Sequence, residues 1–143
     1  MKEVLVDANV LLSFLTDRDE GQQKKAAALF RGAADHKHTL ALHSVTLMET
    51  AYVLVQLYDV EKADVARALG ELLALPGVQA IHEVPWTGVF ELWPGSIRSL
   101  GDAILAAVAK EGRFDSVATF DVPLRKKLAK LGTVGYWSPR TSG

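Results

Sequence analysis

Short β-branched apolar runs alternate with longer helix-patterned stretches along nearly the whole chain, and this alternation is what most constrains the fold. Residues 3–6, 39–42, 78–81 and 116–119 read as strands, with a last short one at 134–137. Helix patterns fill the intervals at 8–15, 20–34, 44–57, 61–75, 85–93, 101–110 and 122–131. Ser44 reads as an N-cap, Pro76-Gly77 as a stop, and Ala27, Leu29 and Phe30 as the apolar side of the second helix. Strands alternating with helices predict an α/β class: a three-layer sandwich with a mostly parallel central sheet and helices on both faces. No repeat, linker or low-complexity tract divides the 143 residues, a length that suits one domain spanning 1–143.

Composition removes several kinds of chemistry. There is no cysteine, which excludes disulfides, thiolate metal sites and cysteine nucleophiles. The apolar run 4–15 is broken by Asp7 and Asn9, so it does not read as a signal peptide, and no stretch approaches the ~20 apolar residues of a membrane span. A cytoplasmic protein without membrane contact is expected. The net charge of −1 argues against bulk electrostatic binding of nucleic acid but leaves room for a local basic surface. From 122 onward there are five basic residues (Arg125, Lys126, Lys127, Lys130 and Arg140) and no acid. That segment is either a polyanion contact or a solvated helix face; Lys24, Lys25 and Arg31 read as solvated.

Four carboxylates keep unusual company. Asp7 and Asp121 each follow a strand, where ligands collect in parallel sheets. Glu49 is the only charge in its helix and shares a face with Val45, Tyr52 and Val53. Asp102 is the only charge of the apolar stretch 101–109. Each has a structural alternative: Asp7 and Asp121 as helix caps, Asp102 as a first-turn acid favoured by the helix dipole, and Glu49 as an exposed rim acid. If the four converge, their repulsion calls for a cation, and an all-oxygen donor set suits Mg²⁺ or Mn²⁺ rather than zinc. His36, His38, His43 and His82 show no ligand spacing and read as surface or loop histidines.

The stretches Val6-Asp7-Ala8-Asn9-Val10-Leu11-Leu12, 44–54 with Glu49 in mid-helix, Gly101-Asp102-Ala103-Ile104-Leu105-Ala106-Ala107 and Ala118-Thr119-Phe120-Asp121 resemble, in order, those of PIN-domain nucleases, most closely the VapC-type toxins of toxin–antitoxin pairs. The resemblance implies a PIN-like α/β sandwich and Mg²⁺- or Mn²⁺-dependent endoribonuclease activity. It assigns metal binding and catalysis to Asp7, Glu49, Asp102 and Asp121, with Asn9 and Thr119 in support. It also implies an RNA substrate, a small antitoxin partner and a homodimer. Residues 76–99 match nothing in that pattern.

A carboxylate-held ion lowers the pKa of bound water and stabilises charge on phosphoryl oxygens. Arg125, Lys126, Lys127 and Lys130 lie next in sequence to Asp121 and are candidates for the RNA backbone. Other readings are a housekeeping RNA-processing nuclease and a catalytically inactive PIN-like binding module. A phosphoryl-transfer receiver or phosphatase fits less well, because Ala8 stands where a paired acid is wanted and the middle acid is inside a helix. Nucleotide-binding enzymes are disfavoured because neither GxGxxG nor a P-loop is present.

Overall fold

A computed structural model describes residues 1–138; Arg140 of the basic tail lies outside the described residues. In chain order the elements are β1 (Lys2–Val6), α1 (Ala8–Leu15), α2 (Glu20–Ala34), β2 (His38–His43), α3 (Ser44–Gln56), α4 (Lys62–Ala74), β3 (Val78–Ile81), α5 (Trp86–Leu92), α6 (Leu100–Glu111), β4 (Ser116–Ala118) and α7 (Val122–Lys130). The four strands form one parallel sheet in the order β3-β2-β1-β4. Parallel neighbours need long crossovers, and the helices supply them. The chain moves to one side of β1 for β2 and to the other for β4, so the strand order switches at β1. Crevices at the carboxyl ends of strands beside such a switch are where open α/β sheets bind ligands.

Alternation along the strands sorts the core into two layers. Leu5, Ala41 and Val117 face α5, α6 and α7, packing with Val89, the run Ala103 to Ala109, Leu124 and Leu128. Val4, Val6, Leu40, Leu42 and Ala118 face the other way, onto Val10, Leu11, Ala26, Leu29, Phe30, Ala33 and Leu72 of α1, α2 and α4. A smaller cluster of Leu12, Leu54 and Val65 joins α1, α3 and α4. The α/β sandwich expected from the sequence is therefore the observed fold. The apolar stretch 103–109 is buried throughout, as a helix without a polar face must be.

Four local expectations are overturned. Residues 134–137 form no strand: Gly135 makes a single parallel bridge to Val117, because the turn Tyr136–Trp137 interrupts pairing. Ser44 is the first helical residue of α3, and the cap before it is His43, whose Nδ1 accepts the Val45 amide at 3.1 Å. His38 and His43 are buried rather than on the surface, since backbone carbonyls satisfy their rings: His38 Nε2 lies 2.8 Å from Leu29 O and His43 Nε2 2.9 Å from Glu83 O. His36 and His82 are exposed, as read. The buried face of α2 runs through Ala26 rather than Ala27, one position round the helix.

Candidate active site

Asp7 sits where β1 turns into α1 and is buried. Its amide donates to Ala118 O at 2.9 Å, carrying the β1–β4 pairing one residue past the end of β1 and bringing Thr119 alongside. The Thr119 hydroxyl donates to Asp7 Oδ2 at 2.7 Å, Asn9 Nδ2 to the same oxygen at 3.2 Å, and the Ala8 amide to Oδ1 at 2.7 Å. Asn9 also donates to Thr119 Oγ1 at 3.1 Å and accepts the Phe120 amide at 3.1 Å. The carboxylate is thus held by groups from both strand ends. Asp121 caps α7, its Oδ1 accepting the Leu124 amide at 3.0 Å, while its own amide donates to Thr119 Oγ1 at 3.1 Å.

Asp102 lies in the first turn of α6 and is not the cap; Ser99 is, its hydroxyl accepting the Asp102 amide at 3.3 Å. Glu49 projects from α3 onto Gly101, where any side chain would collide with its carboxylate. Asp7, His43, Val45, Thr46, Glu49, Gly101, Ile104 and Leu105 line a cavity of about 10 Å³ open to the centre of a water-sized sphere, space for about one water.

The acids feel one another. Burial pushes the Asp7 carboxyl up; its bonds from Thr119 and Ala8 oppose this, and the Asp121 charge adds to it. Glu49 is raised by partial burial and then by the charges of Asp7 and Asp102. Asp102 is pushed up to about 6, first by burial, then by Asp7 and Asp121, with Lys127 pulling the other way. All four sequence-selected acids therefore meet electrostatically at the carboxyl end of the sheet.

The donor set suits a hard divalent ion. It consists of oxygens only, and the ion pairs among the described residues, Lys24–Glu20 and Arg67–Asp64, lie on exposed helix faces and neutralise none of the four. Among the described residues no three acid or imidazole side chains stand close enough to enclose a metal by themselves. Magnesium needs no such cage, because it is typically held by one or two carboxylates and retains several waters.

The basic residues of α7 do not share one face. At 3.6 residues per turn, Lys126 and Lys130 point away from the buried Leu124 and Leu128, and Lys127 flanks them on the side that reaches Asp102 electrostatically. Arg125 lies on the opposite flank, its stem against Gly135 and its Nη1 3.5 Å from Trp137 O. Sequence reasoning missed His43, Gly101 and Ser99, which position the acids; the Gly-Asp pair at 101–102 was the available signal for one of them.

The family model for the PIN domain matches residues 4–128. The chain belongs to the PIN domain family. Among curated proteins none matches it. Solved structures similar to this chain include Mycobacterium tuberculosis VapC20, described as a sarcin-ricin loop cleaving toxin, at 18% identity and TM-score 0.66, covering 92% of this chain and 96% of that one. PAE2754 from Pyrobaculum aerophilum follows at 22% and 0.64, covering 92% and 90%. VapBC2 from Rickettsia felis, bound to a DNA fragment from its promoter, stands at 15% and 0.62, covering 87% and 92%. At these identities the likeness is one of fold. No helix among the described residues of this PIN domain is long and apolar enough to cross a membrane.

Proposed function

We propose that this PIN domain is a divalent-metal-dependent endoribonuclease and the toxin of a type II toxin–antitoxin pair. The observation that carries the nuclease reading is the electrostatic meeting of four carboxylates from four separate segments, two of which, Asp7 and Glu49, line a water-sized cavity, with none of the four in an ion pair among the described residues. Asp7 and Asp102 would hold Mg²⁺ or Mn²⁺, Glu49 would complete the ion's surroundings or orient water, and Asp121 would act through water or a second ion. Such an ion supplies a nucleophilic water at neutral pH and stabilises charge on the phosphoryl oxygens. The protein's own part is positional. Thr119 and Asn9 fix the Asp7 carboxylate, Gly101 admits Glu49, and Lys127, whose charge reaches Asp102, would offer a cation to the scissile phosphate.

The toxin reading is supported by likeness of fold to VapC20 and VapBC2, an analogy rather than a property of the site. It brings with it an antitoxin whose Arg or Lys reaches toward Asp7 and Glu49, and a homodimer. Cleavage of a generic RNA in Mn²⁺, abolished by EDTA and by Asp7→Asn or Asp102→Asn without loss of the folded circular dichroism spectrum, is the expected result. Wild-type cleavage that survives excess EDTA would overturn the metal-nuclease reading. Expression that leaves growth unaffected would overturn the toxin assignment alone.

A further inference from the structure

A second, much larger cavity lies away from the carboxylates. It measures about 580 Å³, within the range of ligand-binding clefts, and shares no lining residue with the small cavity at Asp7. It lies between β3 and the C-terminal end of α6. Gln79 and Ile81 of β3, Val84 and Pro85 of the following loop, and Val108 and Phe114 give it a largely apolar lining. Glu3, Glu83 and Glu111 also line it, from the start of β1, the loop after β3 and the end of α6, and no lysine or arginine does. None of these three glutamates is in an ion pair among the described residues.

An open strand edge borders this groove. Among the described residues β3 is the end strand, paired on one side only, with β2. The opposite end of the sheet differs: Val117 of β4 bonds outward to Val134 O and receives the Tyr136 amide, so the chain itself occupies that edge. The Leu40 amide donates to Gly77 O, and parallel pairing alternates from there. Gln79 and Ile81 therefore direct their amides to β2, while the Ala80 amide and carbonyl point outward. An added strand on this edge would send alternate side chains toward the groove.

We propose that the β3 edge and the adjoining groove form a docking site for an extended segment of a partner protein that alternates basic and apolar side chains. The main chain of that segment pairs with Ala80, its apolar side chains enter between Ile81, Val108 and Phe114, and its cations meet Glu3, Glu83 and Glu111. The inference is independent of the nuclease reading, since Asp7, Glu49, Asp102 and Asp121 take no part in it. The docked segment would nevertheless touch the loop that His43 and Ser44 hold at the start of α3, through His43 Nε2 to Glu83 O at 2.9 Å and Ser44 Oγ to His82 Nδ1 at 2.6 Å.

The probe is a synthetic heptapeptide of alternating lysine and valine, titrated into the full chain by calorimetry and followed by amide hydrogen exchange. Binding with at least tenfold slower exchange at Ala80 is expected. A tenfold or greater loss of affinity is expected in Glu3→Gln/Glu111→Gln, or in Glu83→Gln if the double variant does not fold, and a glutamate–valine peptide should not bind. Equal binding of the acidic peptide, unchanged affinity in the variants, or binding that leaves the Ala80 amide unprotected would overturn the proposal. So would self-association of the chain that protects Ala80 and excludes the peptide.

Discussion

At the scale of single residues, Gly101 separates a requirement of the site from one of the fold. A Cβ there would collide with the far end of the Glu49 side chain, which can swing away. Alanine also favours the helix over glycine by up to about 1 kcal/mol. Gly101→Ala should therefore melt at the same urea concentration as wild type or slightly higher, while RNA cleavage falls sharply because Glu49 is displaced. A variant that is as active as wild type would mean the position of Glu49 does not matter. Lys127 and Lys126 make a second contrast, since both are exposed and only Lys127 acts on Asp102. Lys127→Ala is expected to lower RNA affinity and flatten the slope of log K against log salt by roughly 0.7, the share of one phosphate contact on a single strand. Lys126→Ala should leave that slope closer to wild type. Equal slopes in wild type and both variants would show two solvated lysines.

At the scale of elements, α3 depends on a residue whose role its sequence hides. His43 ends β2, caps α3 through Nδ1 and binds Glu83 O through Nε2, so one buried ring ties strand, helix and loop together. His43→Ala loses the cap, about 1 kcal/mol, and leaves Glu83 O and a cavity behind, so a total above about 2 kcal/mol is expected in urea melts. His43→Asn restores a capping side chain without the reach to Glu83, and should recover part of the loss. Full recovery would mean the loop bond contributes nothing. The helices and β1 to β4 were legible because hydrophobic period and capping chemistry are local, and Asp7, Asp121 and the apolar α6 announced themselves in that way. Residues 134–137 misled because an apolar, aromatic run can satisfy a single bridge as readily as a strand. His43 could not be read because its partner, Glu83, is forty residues away, a contact made only by the fold. The pairing of Glu49 with Gly101 is hidden for the same reason, although Glu49 drew notice by itself.

At the scale of the whole molecule, the fold gathers like charge at one end of its sheet, and that has a consequence for stability. Asp7, Glu49 and Asp102 all have raised carboxyl pKa values, and for Asp102 the rise is from 3.8 to about 6. Between those values the folded chain holds more protons at Asp102 than the unfolded chain does. Stability from this group is therefore fully present below pH 3.8 and is lost as pH rises toward 6, the reverse of a carboxylate in a salt bridge. The full shift corresponds to about 3 kcal/mol at ~1.4 kcal/mol per unit, and the half-exposed setting reduces the expected effect to on the order of 1–2 kcal/mol. Asp102→Asn removes the titration, so comparing the two proteins cancels ionisations common to both. Urea melts in EDTA from pH 4 to 7 should show wild type losing ground steadily to Asp102→Asn across that range. Adding Mn²⁺ at pH 7 should reverse the trend in wild type, by about 2.7 kcal/mol at a hundredfold excess over Kd, and much less in the variant. A difference that stays flat with pH, or one in which wild type gains on the variant as pH rises, would mean that the acids at this end of the sheet do not load one another with charge. The case for a cation among them would then have lost its physical basis.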